Sequence, residues 1–234
     1  MAMGVGKVLL GQIMNIKHIF NIGDFLFVGD GKGQLKQYFT QDPTKFRDWG
    51  DVCNGPVNTM ALSEDGRFLF TGGEDLHLRQ WFIDDRLLFY DYGKIHDSAI
   101  NSIKCTPDGE YIFTAGNDNL LKQFNMKDCV LFKNWGKLHK SGPITTMVMS
   151  RDGKNLFTGG EDLHVHQIYL DQIHQYLSNI QANKMQILDE KLSKDYGIYH
   201  KDGITTMILS CNGSFLFTCG EDGSLCQYDV SKSC

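Results

Sequence analysis

The stretch RFLFTGGED (Arg67–Asp75) returns four more times, with small changes, along this chain of 234 residues. The other copies are DFLFVG (Asp24–Gly29), EYIFTAGND (Glu110–Asp118), KNLFTGGED (Lys154–Asp162) and SFLFTCGED (Ser214–Asp222). A glutamine follows each copy, at Gln37, Gln80, Gln123, Gln167 and Gln227. The intervals between these glutamines are 43, 43, 44 and 60 residues, so the chain consists of five repeats with one expansion.

A second motif has the same period. It reads DWGDVC (Asp48–Cys53), DYGKIH (Asp91–His96), NWGKLH (Asn134–His139) and DYGIYH (Asp195–His200), at intervals of 43, 43 and 61 residues. Short apolar runs separated by glycine-rich turns indicate antiparallel strands joined by tight turns. The second repeat predicts strands over 57–62, 68–71, 77–82 and 87–92. Four strands in 43 residues are typical of a propeller blade.

The repeats resemble those of the WD-repeat β-propeller family. In that family a Gly-His pair opens the repeat, and an Asp near its end is followed six residues later by Trp, as Asp75 is followed by Trp81 here. The resemblance implies an all-β fold and a single domain over residues 1–234, with an insertion at about 171–192 in the fourth repeat. It also implies a structural hydrogen-bond network that links blades through Thr71, Asp75, Trp81, His96, Thr114, Asp118, His139, Thr158, Asp162, His200, Thr218 and Asp222.

Five blades are visible, and the fifth shows only three strands. The segment Gly6-Lys7-Val8 matches Gly93-Lys94-Ile95, so the chain before it falls where a fourth strand would end. We therefore expect the N-terminal strand to complete the fifth blade and close a five-bladed ring. The alternative is an arc of a larger propeller, which would leave apolar blade faces exposed.

The insertion carries Ile173, Tyr176, Leu177 and Ile180 at the spacing of a short amphipathic helix. One interpretation is a partner-docking element that uses Ile173, Tyr176 and Leu177. The other, which we favour on sequence grounds, is a loop that folds back on the ring.

The recurrent glutamines are unusual, because this third-strand position is normally apolar in the family. A buried amide must be hydrogen-bonded. We expect its partners to be Asp48, Asp91, Asn134 and Asp195 on the adjoining fourth strand.

The sequence offers little catalytic chemistry, and we predict no catalytic site, no metal site and no cofactor. The His, Thr and Asp of the network recur in several blades, whereas a catalytic site is needed once. His164 and His166 alternate on one strand, with His77 at the matching place in the second repeat. A metal site is disfavoured there because the pattern shows no carboxylate or Cys neighbour.

Two function classes remain. The favoured one is a non-enzymatic protein–protein interaction scaffold, a subunit or adaptor of a larger complex. Glu74, Glu161 and Glu221 lie on one face and could attract a basic peptide, although lysines on the same face predict local Glu–Lys pairing instead. The alternative is a propeller enzyme or small-ligand binder whose central channel carries Thr59, Ser102, Thr146 and Thr206.

The amino-acid composition argues against nucleic acid and a membrane as partners. The net charge of −5 argues against nucleic acid as a partner, and no apolar run is long enough for a membrane span. Seven cysteines without a C-x-x-C spacing or a secretory signal predict reduced thiols in a cytoplasmic or nuclear protein that is not secreted.

Overall fold

The structure is a computed structural model that describes residues 16–171 and 193–231. In these residues 19 strands form five antiparallel sheets, each made of strands consecutive in the chain. This confirms the predicted all-β fold built from propeller blades.

Blade 1 contains β1 (Ile16–Ile22), β2 (Phe25–Asp30), β3 (Gln34–Phe39) and β4 (Asp42–Asp51). Blade 2 contains β5 (Val57–Leu62), β6 (Phe68–Gly73), β7 (His77–Phe82) and β8 (Leu88–Lys94). Blade 3 contains β9 (Ile100–Cys105), β10 (Tyr111–Gly116), β11 (Leu120–Asn125) and β12 (Leu131–Lys137). Blade 4 contains β13 (Ile144–Met149), β14 (Asn155–Gly160), β15 (His164–Tyr169) and β16 (Ser193–Ile198). Blade 5 contains β17 (Ile204–Leu209), β18 (Phe215–Gly220) and β19 (Leu225–Asp229).

A hydroxyl closes the turn between the first two strands of each of blades 2 to 5. In blade 2 the Ser63 hydroxyl accepts a hydrogen bond from the Phe68 amide at 2.9 Å and donates one to Asp65 at 2.6 Å. Gly66 follows with φ +71°, in the left-handed region that glycine adopts without strain. The same arrangement recurs at 106–111, 150–155 and 210–215, which explains the Asp-Gly and Asn-Gly pairs of the repeats.

Phenylalanines of the second strands join neighbouring blades. Phe70 is fully buried and packs with Ile100 and Ile103 on the first strand of the next blade. Phe113 packs in the same way with Ile144, and Phe157 with Ile204. Burying one such side chain stabilises the fold by about 1.5–3 kcal/mol. The core of the molecule therefore lies between blades, and each blade depends on its neighbour.

The second sequence motif forms a bulge in each fourth strand. Gly50, Gly93, Gly136 and Gly197 have φ between +71° and +80°. The Asp or Asn two residues earlier accepts a hydrogen bond from each glycine amide, as between Asp91 and Gly93 at 2.8 Å. The register skips there, since His77 pairs with Lys94 and Arg79 with Asp91. A glycine with positive φ is what a bulge of this kind requires.

The packing between blades runs from blade 1 to blade 5. First strands pack in succession from β1 to β17, and within residues 16–171 and 193–231 no comparable packing joins β17 to β1. On blade 5, Ile208 is 66% exposed, whereas Ala61 at the matching position of blade 2 is 5% exposed. The predicted closing strand before residue 16 lies outside the described residues. The five-bladed ring and the open arc both remain predictions.

The predicted docking helix of the insertion, with Ile173, Tyr176 and Leu177, also lies outside the described residues. Within the part of the chain that the structure describes, no helix has the length and apolar character needed to cross a membrane.

Candidate functional site

Blade 3 contains a complete His–Thr–Asp network. Nδ1 of His96 lies 2.9 Å from the Asp118 carboxylate, and Nε2 lies 2.9 Å from the Thr114 hydroxyl. Asp118 also accepts hydrogen bonds from the backbone amides of Asp97 and Leu120. Burial opposes ionisation of Asp118, but these amides and His96 hold the pKa of its carboxyl below the ordinary value. Burial lowers the pKa of His96, so a neutral imidazole donates from Nδ1 and accepts from the threonine at Nε2.

Blades 4 and 5 repeat this network. His139 lies 2.6 Å from Asp162 and 2.9 Å from Thr158. His200 lies 3.3 Å from Asp222 and 2.6 Å from Thr218. Each histidine belongs to the loop that enters a blade, and each aspartate to the turn between the blade's second and third strands. The bonds therefore fix the entering loop to this turn, and they occupy both ring nitrogens of each histidine.

In blade 2 different residues fix the entering loop to the turn between the second and third strands. The position of the histidine is held by Cys53, and the guanidinium of Arg79 takes over its contact. Nη1 of Arg79 donates to Asp75 at 2.7 Å and to the Val52 carbonyl at 3.1 Å. Burial works against the charge, but the Asn54 amide and this guanidinium hold the pKa of Asp75 below its ordinary value. Trp81 completes the blade by donating to the Thr71 hydroxyl at 3.0 Å.

Four recurrent glutamines lie buried, but the partners predicted for them were wrong. Each accepts a hydrogen bond from the aromatic residue one position beyond the predicted Asp or Asn. These pairs are Trp49–Gln37 at 3.2 Å, Tyr92–Gln80 at 3.0 Å, Trp135–Gln123 at 3.3 Å and Tyr196–Gln167 at 2.5 Å.

The reason for the error is the alternation of side chains along a strand. Asp91 pairs with Arg79 in the register and therefore shares its face of the sheet, whereas Gln80 projects from the opposite face. Gln227 is exposed. Within the described residues its blade has no fourth strand to supply an aromatic partner.

The two alternating histidines of blade 4 do have carboxylate neighbours. Nδ1 of His164 lies 2.8 Å from Asp195, and His166 pairs with Asp195 in the register of β15 and β16. One ligand atom from each of His164, His166 and Asp195 lies within 4.8 Å of the others. Burial and the nearby His139 lower the pKa of His166 to about 4, so its ring is neutral at pH 7. The premise that disfavoured a metal site, the absence of carboxylates, was wrong.

The turns between second and third strands present an acidic rim, which we define as Glu74, Glu161 and Glu221. All three side chains are exposed. In the described part of the chain none of them forms an ion pair. The predicted pairing with lysines of the same face is therefore not found there.

Thr59, one of the hydroxyl residues expected in the channel, links two blades. The Thr59 hydroxyl accepts a hydrogen bond from the Ile103 amide of the next blade at 3.1 Å. Thr59 and Ser102 are buried, whereas Thr146 is partly exposed and Thr206 is exposed. Among residues 16–171 and 193–231 these hydroxyls have no acid or base partner.

The aligned blades, their bulged fourth strands and the loop-to-turn networks now define the repeat unit. The pattern of one protein family, described as WD domain, G-beta repeat, matches residues 50–81, 92–125, 135–167 and 196–229. These segments cover more than half of the chain. The chain belongs to the WD40 repeat family. A comparison with curated proteins found no match.

WD40 repeats generally mediate protein–protein interaction, and WD40 proteins generally act as scaffolds without enzymatic activity. In this WD40 protein the recurrent His, Thr and Asp side chains of the network are occupied by internal hydrogen bonds, so side chains that are free to contact a partner lie on the turns and strand edges.

One repeated surface feature escaped the sequence analysis. Phe46, Phe89 and Phe132 lie 43 residues apart on the fourth strands of blades 1 to 3 and remain 37–49% exposed. Each covers aromatic rings of its own blade, such as Phe89 on Phe82 at 5.0 Å between ring centroids. The same period that revealed the glutamines would have revealed them.

Proposed function

We propose that this WD40 protein is a non-enzymatic scaffold that binds protein partners as a subunit or adaptor of a larger complex. We propose further that the acidic rim binds a basic segment of a partner. The observation that carries this proposal is that Glu74, Glu161 and Glu221 occupy one position in three blades and are exposed without an ion pair among the described residues.

The rim is held in a fixed geometry. Glu161 directly precedes Asp162, which is bound to His139, and Glu221 directly precedes Asp222, which is bound to His200. A surface that is ordered before binding loses less conformational entropy on association. The rim glutamates are therefore placed to accept lysine or arginine side chains at fixed spacings.

Lysines of the same face limit the attraction. Lys94, Lys137, Lys140 and Lys201 are exposed near the entering loops. Exposed charges are screened over about 8–10 Å at physiological ionic strength, so each glutamate acts mainly on a group that contacts it. The rim should therefore select a partner with separated basic residues over a uniformly basic polymer.

The test is affinity purification of the full chain, followed by mass spectrometry, with a matched pair of variants. The variant Glu74→Gln/Glu161→Gln/Glu221→Gln removes the rim charge. The control Glu64→Gln/Asp84→Asn/Glu110→Gln removes the same charge from exposed positions on the opposite face. We expect partners that the wild type and the control retain and the rim variant loses. Equal recovery with all three proteins would contradict the rim as the binding site.

Salt dependence and activity separate the two function classes. Binding through the rim should weaken as salt is raised, because contacts between exposed charges are screened. The alternative of an enzyme or small-ligand binder in the central channel predicts binding or turnover that depends on Thr59 and Ser102 and not on the rim. Such dependence would refute the scaffold.

We also propose a reducing compartment, cytoplasmic or nuclear. The six cysteines of the described residues are free thiols, which supports this location. Fluorescence microscopy of the tagged full chain tests it.

A further inference from the structure

Blades 2 and 4 differ at one informative position. His77 and Asp91 of blade 2 match His164 and Asp195 of blade 4, and both pairs are in hydrogen-bond contact, at 2.9 and 2.8 Å. Two residues after this histidine on the third strand, blade 2 has Arg79 and blade 4 has His166. The two blades therefore hold the same cluster with a different residue at its centre.

In blade 2 a cation occupies this centre. The guanidinium of Arg79 lies 2.7 Å from Asp75 and 3.2 Å from Asp91, and so bridges the turn and the fourth strand. In blade 4 the corresponding carboxylates are Asp162 and Asp195, and His166 takes the third-strand position that Arg79 has in blade 2. Blade 4 thus keeps both carboxylates without the fixed positive charge that balances them in blade 2.

The side chains around His166 are suited to a metal ion. His164 and His166 project from the same face of β15, with stacked rings whose centroids are 5.9 Å apart. Two imidazoles and one carboxylate form a ligand set typical of zinc. Zinc binds such atoms at about 2.0–2.2 Å. Ligand atoms within 4.8 Å of one another therefore need only small side-chain rotations to reach one ion.

We propose that His164, His166 and Asp195 bind a zinc ion, which provides in blade 4 the positive charge that Arg79 provides in blade 2. His139 and Asp162 form a second group with His166, but both nitrogens of His139 are engaged by Asp162 and Thr158. In the described residues, His166 has no hydrogen bond to break.

The site is accessible from solvent. It opens into a cleft of about 530 Å³ that is also lined by Trp135, Lys137 and Lys140. Both lysine side chains are exposed, so their ammonium groups can turn into water and oppose the ion only weakly. An open coordination position is then left for water, as in zinc sites with three protein ligands.

The experiment is zinc titration of the full chain by calorimetry, with a chelator competition to fix the affinity. The variant His166→Arg installs the residue of blade 2 and removes a direct ligand, so it should weaken zinc binding by more than the about tenfold that the loss of an outer-shell partner costs. The control His77→Asn removes the matching histidine of blade 2 and should leave the zinc affinity unchanged. Should His166→Arg not fold, His164→Asn replaces it, because that side chain is partly exposed and has its hydrogen bond at the surface.

Cobalt(II) provides a second measurement that distinguishes the proposed ligands from the free cysteines. We expect d–d absorption bands without sulfur-to-metal charge transfer, and these bands should disappear in His166→Arg. The proposal is overturned if the wild type binds no zinc, if His166→Arg and His164→Asn bind it as tightly as the wild type, or if the cobalt spectrum shows thiolate ligands.

Discussion

The hydroxyl of Tyr92 lies 3.0 Å from the amide oxygen of Gln80, and this contact joins the third and fourth strands of blade 2. Gln80 is 1% exposed, so water cannot replace the tyrosine. The same pair is built with Tyr196 in blade 4 and with tryptophan in blades 1 and 3. The same kind of hydrogen bond, from an aromatic side chain to a glutamine, therefore joins the fourth strand to the third in four blades.

Replacing Tyr92 by Phe should lower the free energy of unfolding by about 1–3 kcal/mol, because it leaves the buried oxygen of Gln80 without this donor. Urea denaturation measures the change. Tyr90→Phe is the control, since Tyr90 is on the same strand and 43% exposed. The double variant Tyr92→Phe/Gln80→Leu should recover part of the loss. An unchanged or raised stability of Gln80→Leu alone would show that the pair does not hold the blade.

Breaking the ion pair of Arg79 with Asp75 should lower the free energy of unfolding far more than breaking the surface pair of Arg67 with Asp65. The Asp75 side chain is 6% exposed, whereas those of Arg67 and Asp65 are 71% and 46% exposed. Arg79→Met leaves a buried carboxylate without its cation and should cost about 3–5 kcal/mol. Arg67→Met should cost at most about 1 kcal/mol. Similar losses measured by chemical denaturation would mean that Arg79 does not replace the histidine of the other blades.

The bulge of the fourth strand should depend on glycine through its backbone alone. Gly93 has φ +75°, and a Cβ added there would meet nothing within 4 Å. Gly93→Ala should therefore cost about 1–2 kcal/mol from backbone strain, and Gly93→Asn less, because Asn tolerates this region better. Thermal unfolding of the two variants tests the order. Equal losses would indicate that something other than φ is responsible.

His18 should contribute to a fall in stability in mild acid. Burial, aided by the nearby Lys104, lowers the pKa of His18 to about 4, and its Nδ1 has no hydrogen-bond partner among the described residues. The unfolded chain takes up this proton near pH 6.5 and the folded chain only near pH 4. The free energy of unfolding therefore keeps its full value, as far as His18 is concerned, above about pH 6.5. It falls as the pH drops toward 4, with a slope of up to about 1.4 kcal/mol per pH unit.

Denaturation of the wild type and of His18→Asn between about pH 7 and pH 5 measures this slope. The variant cannot titrate at that position, so its stability should depend less steeply on pH. Parallel curves for the two proteins would show that His18 titrates normally in the folded state.

The sequence allowed the repeat, the strand pattern and the His, Thr and Asp positions to be predicted, because each depends on a short motif that returns at a fixed spacing. It could not assign the partner of Gln80, since the bulge at Gly93 decides which fourth-strand residues share its face. It could not show that Arg79 replaces a histidine, because the two residues belong to different segments of the repeat. His164 and Asp195 likewise come together only when β15 pairs with β16 across the insertion.

The contact of Arg79 with Asp75 has a consequence for how such repeats diverge. A positive or hydrogen-bond-donating group reaches the turn from the entering loop in three blades and from the third strand in one. Either source of the donor binds the turn to another segment of the chain. A blade without the histidine therefore keeps its turn bound, because the arginine of the third strand supplies the donor.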